Sequence, residues 1–154
     1  MSSLHLIRNF TATTTYGAVS NTIRYLADRS EHPRPSTLTI VYNFPLTHAD
    51  IIELFRAKIK ETKQLYADVQ FTDVPPLSPG YDRDPTEKKN KIVAVIDSIT
   101  SNPGVLLPWK EMCSIAREEG VWTVIDAAHS IGQEVGLIAL DSPPGRGLIK
   151  CSCS

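Results

Sequence analysis

Residues 121–133 read Val-Trp-Thr-Val-Ile-Asp-Ala-Ala-His-Ser-Ile-Gly-Gln, and this stretch decides the fold. Its first five residues are apolar or β-branched and lead directly into Asp126, which predicts a buried parallel strand that ends in a carboxylate. Ligands of open α/β sheets bind beyond the carboxyl ends of the strands. We therefore predict that Asp126 faces a ligand, and that His129, one turn further on, faces the same ligand.

The same two residues also allow a purely structural interpretation. An aspartate that follows a strand is often only a turn or helix cap, and a single histidine is most often a surface residue or a satisfied core residue. The pattern alone leaves both interpretations open.

The overall composition is that of one soluble domain. The chain has 154 residues, 42% of them hydrophobic and 21% charged, with a formal net charge of −1. This balance implies neither a nucleic acid nor a membrane as partner, and the absence of a secretory leader predicts a cytoplasmic protein. The three cysteines lack metal-ligand spacing, so we predict no metal site.

The remaining apolar segments alternate between strand and helix patterns. The predicted order begins with a strand over 3–10, a polar loop over 11–15 and a helix from Tyr16 that ends before His32. It continues with a strand over 37–44, a helix that Thr47 and Asp50 begin with a capping box, and a surface loop over 68–90. It ends with a strand over 91–97, a helix from Pro108 to a left-handed cap at Gly120, and the strand described first. This order predicts an α/β fold, a mainly parallel sheet with right-handed crossovers and helices on both faces.

Two further positions follow predicted strands. Tyr16 begins the first helix, where it is either the first core residue or a ring that lies under a bound planar group. Asn102 lies in the small polar loop 98–104, which places hydroxyl and amide groups at the end of the strand over 91–97. Spacing does not decide between the two interpretations of Tyr16.

Three segments together resemble consecutive landmarks of a known family. They are 14–19 (TTYGAV), 101–108 (SNPGVLLP) and 126–133 (DAAHSIGQ). They resemble the class V aminotransferase superfamily of pyridoxal-phosphate enzymes with fold type I. They are most similar to its isopenicillin-N-epimerase-like branch, which includes fungal lyases of sulfur-containing amino acids. The resemblance spans about residues 10–136 and implies pyridoxal 5'-phosphate as cofactor, an amino-acid substrate and a homodimer.

The resemblance also implies roles for individual residues in cofactor binding. Asp126 matches the carboxylate that pairs with the protonated pyridine nitrogen, and His129 matches the residue that hydrogen bonds to the phenolic oxygen of the ring. Tyr16 matches the ring-stacking position. Asn102, or its neighbour Ser101, matches the loop that approaches the phenolic oxygen and the substrate. No catalytic residue is assigned within this chain.

The family reaction needs a lysine that holds the cofactor as a Schiff base, and the resemblance ends near residue 137. The Pro/Gly-rich stretch 138–154 contains no convincing strand pattern, and we expect a divergent, disordered tail there. Lys150 falls at a suitable spacing after Asp126 but lacks the preceding histidine of the family pattern, so we assign it no role. We accordingly expect residues 1–137 to be a partial large domain that binds pyridoxal phosphate, in a truncated chain that is inactive alone.

Three hypotheses on function remain. The first is a fragment of a pyridoxal-phosphate enzyme with lyase, desulfurase or epimerase chemistry. The second is a non-catalytic truncated isoform that docks on full-length subunits. The third is an unrelated α/β ligand binder in which Asp126 holds a metal or a ribose; it is disfavoured because no glycine-rich phosphate loop follows a strand.

Overall fold

The computed structural model describes residues 8–28, 37–67, 92–134 and 147–150. These residues form one parallel sheet with the strand order β2-β1-β3-β4-β5. The strands are β1 (Arg8–Ala12), β2 (Leu38–Ile40), β3 (Ile92–Asp97), β4 (Trp122–Asp126) and β5 (Gly147–Lys150), and the helices are α1 (Gly17–Asp28), α2 (His48–Leu65) and α3 (Trp109–Glu118). The predicted α/β fold with a parallel sheet is confirmed.

The order of the strands creates a switch point between β1 and β3. The chain leaves β1 through α1 toward β2 at one edge, then returns through α2 to β3 on the other side of β1. Right-handed crossovers place α1 on one face of the sheet and place α2 and α3, which contact each other, on the opposite face. Because ligands of such sheets bind at the carboxyl ends beside the switch point, the ends of β1 and β3 are the expected edge of a site.

Helix α2 forms as the sequence predicts. The Thr47 hydroxyl accepts a hydrogen bond from the Asp50 backbone nitrogen at 3.2 Å, and the Asp50 carboxylate accepts one from the Thr47 backbone nitrogen at 2.8 Å, which completes the capping box. Ile51, Phe55 and Ile59 recur at helical spacing and are all buried. This apolar stripe fastens α2 to the sheet.

Helix α3 begins one residue after Pro108 and ends as predicted. Met112, Ile115 and Ala116 form its buried face. Gly120 has a φ of 68°, the left-handed conformation that a residue without a side chain adopts readily. The chain therefore turns sharply into β4.

Two predicted strand boundaries are wrong. The first strand extends to Ala12, so Thr11 is a buried strand residue paired with Thr39 of β2 and does not belong to a loop. A β-branched threonine fits a buried strand when its backbone bonds to a neighbour, and polarity alone misled the prediction. The second strand ends at Ile40, although the inward and outward alternation continues to Tyr42.

The expectation that no strand occurs after residue 137 is also wrong. β5 pairs in parallel with β4 over Gly147–Lys150, and its last residue is the register partner of Asp126. A short strand needs only a neighbour with unpaired backbone groups, and the outer edge of β4 supplies them. The predicted loop 68–90, residues 1–7 and the rest of the predicted tail lie outside the described residues.

None of the helices described here combines the length and the apolar character that crossing a membrane requires.

Candidate functional site

Two carboxylates lie side by side at the carboxyl edge of the sheet. Asp97 ends β3 and Asp126 ends β4, and the two are register partners in the ladder. Neighbouring strands are about 4.8 Å apart, and partners in a parallel ladder project from the same face. Asp97 is 4% exposed, whereas Asp126 is partly buried. Asp97 is a site residue that the sequence analysis did not identify.

Asp97 is short of hydrogen-bond donors. The Thr15 hydroxyl bonds to its carboxylate and itself accepts a bond from the Ala12 backbone nitrogen at 3.1 Å. The Oδ2 atom of Asp97 is buried and has no partner in the structure. Burial, and then the charge of Asp126, raise the pKa of Asp97 to about 6, although Thr15 and the charge of His129 act in the opposite direction.

One carboxylate oxygen of Asp126 has a structural role, and the other is available to a ligand. Its Oδ1 accepts a hydrogen bond from the Ala128 backbone nitrogen at 3.1 Å, which stabilises the turn after β4. Its backbone carbonyl accepts a hydrogen bond from the backbone nitrogen of Ser98 at 2.9 Å. Ion pairs within the described ranges are Lys58–Glu61 and Lys63–Glu119, so no basic side chain described here neutralises this carboxylate. Capping therefore occupies one oxygen and leaves the other to a ligand.

A buried polar network fixes the turn that carries His129. The hydroxyls of Ser98 and Ser130 hydrogen bond to each other, and Ser130 donates to Glu134 at 3.1 Å. The carboxylate of Glu134 also accepts the indole N–H of Trp109 at 3.0 Å. The network thus connects the ends of β3 and β4 to the start of α3. His129 itself is exposed at this edge, and its charge lowers the pKa of Asp97.

Tyr16 and Asn102 lie at the same edge on separate loops. Tyr16 directly precedes α1 and is 55% exposed, so the interpretation that it is a core residue is wrong. Asn102 is exposed in the loop after β3. In the part of the chain described, neither side chain hydrogen bonds to Asp126 or His129. The structure thus brings Asp126 and His129 together with Asp97, whereas Tyr16 and Asn102 follow the strands β1 and β3 at the same edge of the sheet.

Further buried polar atoms without partners border the same edge. They are the hydroxyls of Thr14, which follows β1, and Tyr42, which follows β2. The backbone nitrogen of Tyr42 bonds to the Thr13 hydroxyl at 3.1 Å, which holds Tyr42 against the end of β1. Burial and the charge of Asp97 raise the pKa of Tyr42. Unsatisfied buried polar groups are rare in native proteins, so their concentration here is typical of a ligand site.

The sequence matches the family model of aminotransferase class I and II over residues 20–139. The match covers most of the chain, and the chain belongs to this family. The cofactor of the family is pyridoxal phosphate.

Three relatives illustrate the similarity. A protein of Oryza sativa subsp. japonica named "Putative L-cysteine desulfhydrase 1" is 38% identical over 77% of this chain and 20% of its own length. An L-cysteine desulfhydrase-like protein of Epichloe uncinata is 30% identical over 82% of this chain and 23% of its own. An L-cysteine desulfhydrase of Arabidopsis thaliana is 58% identical over 26% of this chain and 9% of its own. The chain therefore spans about a fifth of the first two relatives.

The residues at the edge fit the ring of the family cofactor. A pyridine ring with a protonated nitrogen is a planar cation, and Asp97 and Asp126 supply carboxylates at the same edge of the sheet where β1 leads to the exposed Tyr16. The second oxygen of Asp126 is an acceptor that the single N–H of such a ring satisfies, and the positive charge of the ring also favours the neighbouring carboxylate of Asp97. Within the described ranges, no group of three His, Cys, Asp or Glu side chains is arranged to hold a metal ion.

Proposed function

We propose that this chain supplies the ring-binding edge of a pyridoxal-phosphate enzyme that breaks down a sulfur-containing amino acid. One observation carries the proposal: two carboxylates in register at the carboxyl ends of β3 and β4, beside the switch point of a parallel sheet. The substrate class is supported by the names of the relatives, which are L-cysteine desulfhydrases or similar to them. From its three sequence landmarks we also propose that the chain is related to the isopenicillin-N-epimerase-like branch of class V, among the pyridoxal-phosphate enzymes of fold type I.

Each residue of the edge has a distinct task in this proposal. The oxygen of Asp126 that the turn does not use accepts the pyridine N–H and keeps that nitrogen protonated. His129 donates a hydrogen bond to the phenolic oxygen, Tyr16 stacks on the ring face, and Asn102 approaches the phenolic oxygen from the loop after β3. Pyridoxal phosphate, when bound, supplies an electron sink for bond cleavage at the α-carbon of an amino acid.

The function is tested by binding of pyridoxamine 5'-phosphate, which has the ring but no aldehyde and so forms no covalent bond to lysine. Asp126→Asn replaces an ionic hydrogen bond by a neutral one and is expected to weaken binding by roughly 10- to 100-fold, the equivalent of about 1.5–3 kcal/mol. Titration calorimetry measures the dissociation constant. Asp50→Asn, in the exposed capping box of α2, is the matched control and should bind as the wild type does. Equal affinity in both variants would show that Asp126 does not hold the ring.

We further propose that this chain binds the ring without completing turnover, since no residue within it matches the family context of the Schiff-base lysine. Lys150 is the lysine on which this proposal is tested, because its backbone in β5 lies beside that of Asp126. After incubation with pyridoxal phosphate and reduction with borohydride, peptide mass spectrometry is expected to find no stoichiometric pyridoxyl adduct on Lys150. A single adduct at that position, lost in Lys150→Arg, would give Lys150 the role that its sequence context denies it.

A further inference from the structure

Asp97 is the residue of this edge that the proposed function leaves without a task. It is 4% exposed, it has one hydroxyl donor in Thr15, and its Oδ2 has no partner. A carboxylate in such a place is poorly solvated, and its neighbour in the ladder is another carboxylate. Two acids this close do not both ionise readily unless a cation joins them.

We propose that Asp97 is a second carboxyl group of the ring site, one that binds a proton while the site is empty and releases it when Asp126 receives a cationic ring nitrogen. The inference rests on the proposed function. At mildly acidic pH, the proton on Asp97 limits the empty pair to one negative charge. A protonated ring nitrogen beside the pair adds a positive charge, which favours the ionised form of Asp97. The O–H bond of Asp97 then breaks, and its proton passes to solvent.

The groups that face Asp97 are consistent with this coupling. Asp126 opposes its ionisation from β4, and His129 favours it from the turn that follows. Thr15 donates from the end of β1, and Tyr42, after β2, carries a phenol that burial keeps neutral. Because the pKa of Asp97 lies at about 6, the proton is present in a substantial fraction of empty molecules at mildly acidic pH and is largely absent above neutrality. Asp97 is thus a positioning residue whose charge decides how firmly the ring nitrogen stays protonated.

Proton release on binding of pyridoxamine 5'-phosphate tests the inference directly. The binding enthalpy at pH 6 is measured in buffers of different ionisation enthalpy for the wild type and for Asp97→Asn, whose amide carries no titrating proton. If binding lowers the pKa of Asp97 by about one unit, the wild type releases roughly 0.4 proton more than the variant. The ratio of the wild-type affinity to that of the variant should also rise about fivefold from pH 5 to pH 8. Ionisation of the ligand itself cancels in both comparisons.

A second pair of variants covers the case in which Asp97→Asn does not fold. Thr15→Val removes the donor that favours the ionised form of Asp97, so the pH midpoint of binding should move upward, whereas Thr15→Ser keeps the hydroxyl and should not move it. No binding by the wild type would reject the proposed function and this inference with it. Binding by the wild type with the same proton release and pH dependence in Asp97→Asn, or with an unmoved midpoint in Thr15→Val, would reject this inference alone.

Discussion

Phe55→Ala is expected to lower the free energy of unfolding by about 3–5 kcal/mol. Phe55 is fully buried on the sheet side of α2, and its ring lies 5.6 Å from that of Phe10 in β1, at an interplanar angle of 57°. The two rings join the longest helix of the described chain to the strand beside the switch point. Removing one ring leaves a cavity at this joint, because close-packed neighbours collapse only in part.

Urea unfolding followed by far-ultraviolet circular dichroism measures the loss. The matched control is Leu54→Ala, one residue away on the same helix, where the side chain is 37% exposed. We expect Leu54→Ala to change stability by no more than about 0.5 kcal/mol. Similar losses in the two variants would mean that α2 does not pack against β1 through Phe55.

The fold was largely predictable because its strands and helices differ in period. The near-continuous apolar runs of β3 and β4 and the spacing of Ile51, Phe55 and Ile59 each have one good structural solution. Pairing was harder to predict than pattern. Thr11 in β1 and the short β5 depend on neighbouring backbone, which no local sequence property encodes.

The candidate site was half predictable for a related reason. Val95-Ile96-Asp97 and Val124-Ile125-Asp126 end their strands with the same three residue types, so the signal that singled out Asp126 was also present at Asp97. What the sequence could not supply is that β3 and β4 are neighbours in register. The burial of Asp97 and the hydroxyl of Thr15 beside it arise from that pairing and from the position of β1, both of which are tertiary.

The stability of the cofactor-free chain is expected to fall by roughly 2 kcal/mol between pH 4 and pH 7 through Asp97 alone, because a pKa raised by roughly two units corresponds to about 3 kcal/mol in full, part of which is already lost at pH 4. The sign follows from proton binding. Above the ordinary pKa of 3.8 the unfolded chain has lost this proton, whereas the folded chain keeps it up to about pH 6. The folded state is therefore favoured below pH 4, and this contribution is lost as the pH rises through 6.

Urea unfolding of the wild type and of Asp97→Asn from pH 4 to pH 8 isolates this contribution as a difference, and the variant should gain stability relative to the wild type as the pH rises. Asp50→Asn is a control of opposite sign. Hydrogen bonds from the side chain and backbone of Thr47 lower the pKa of Asp50, so its contribution is present at neutral pH and is lost on acidification. A constant difference in the free energy of unfolding between wild type and Asp97→Asn across this pH range would show that Asp97 is not a buried titrating acid. The two carboxylates would then not repel each other enough for a cationic ring to stabilise them.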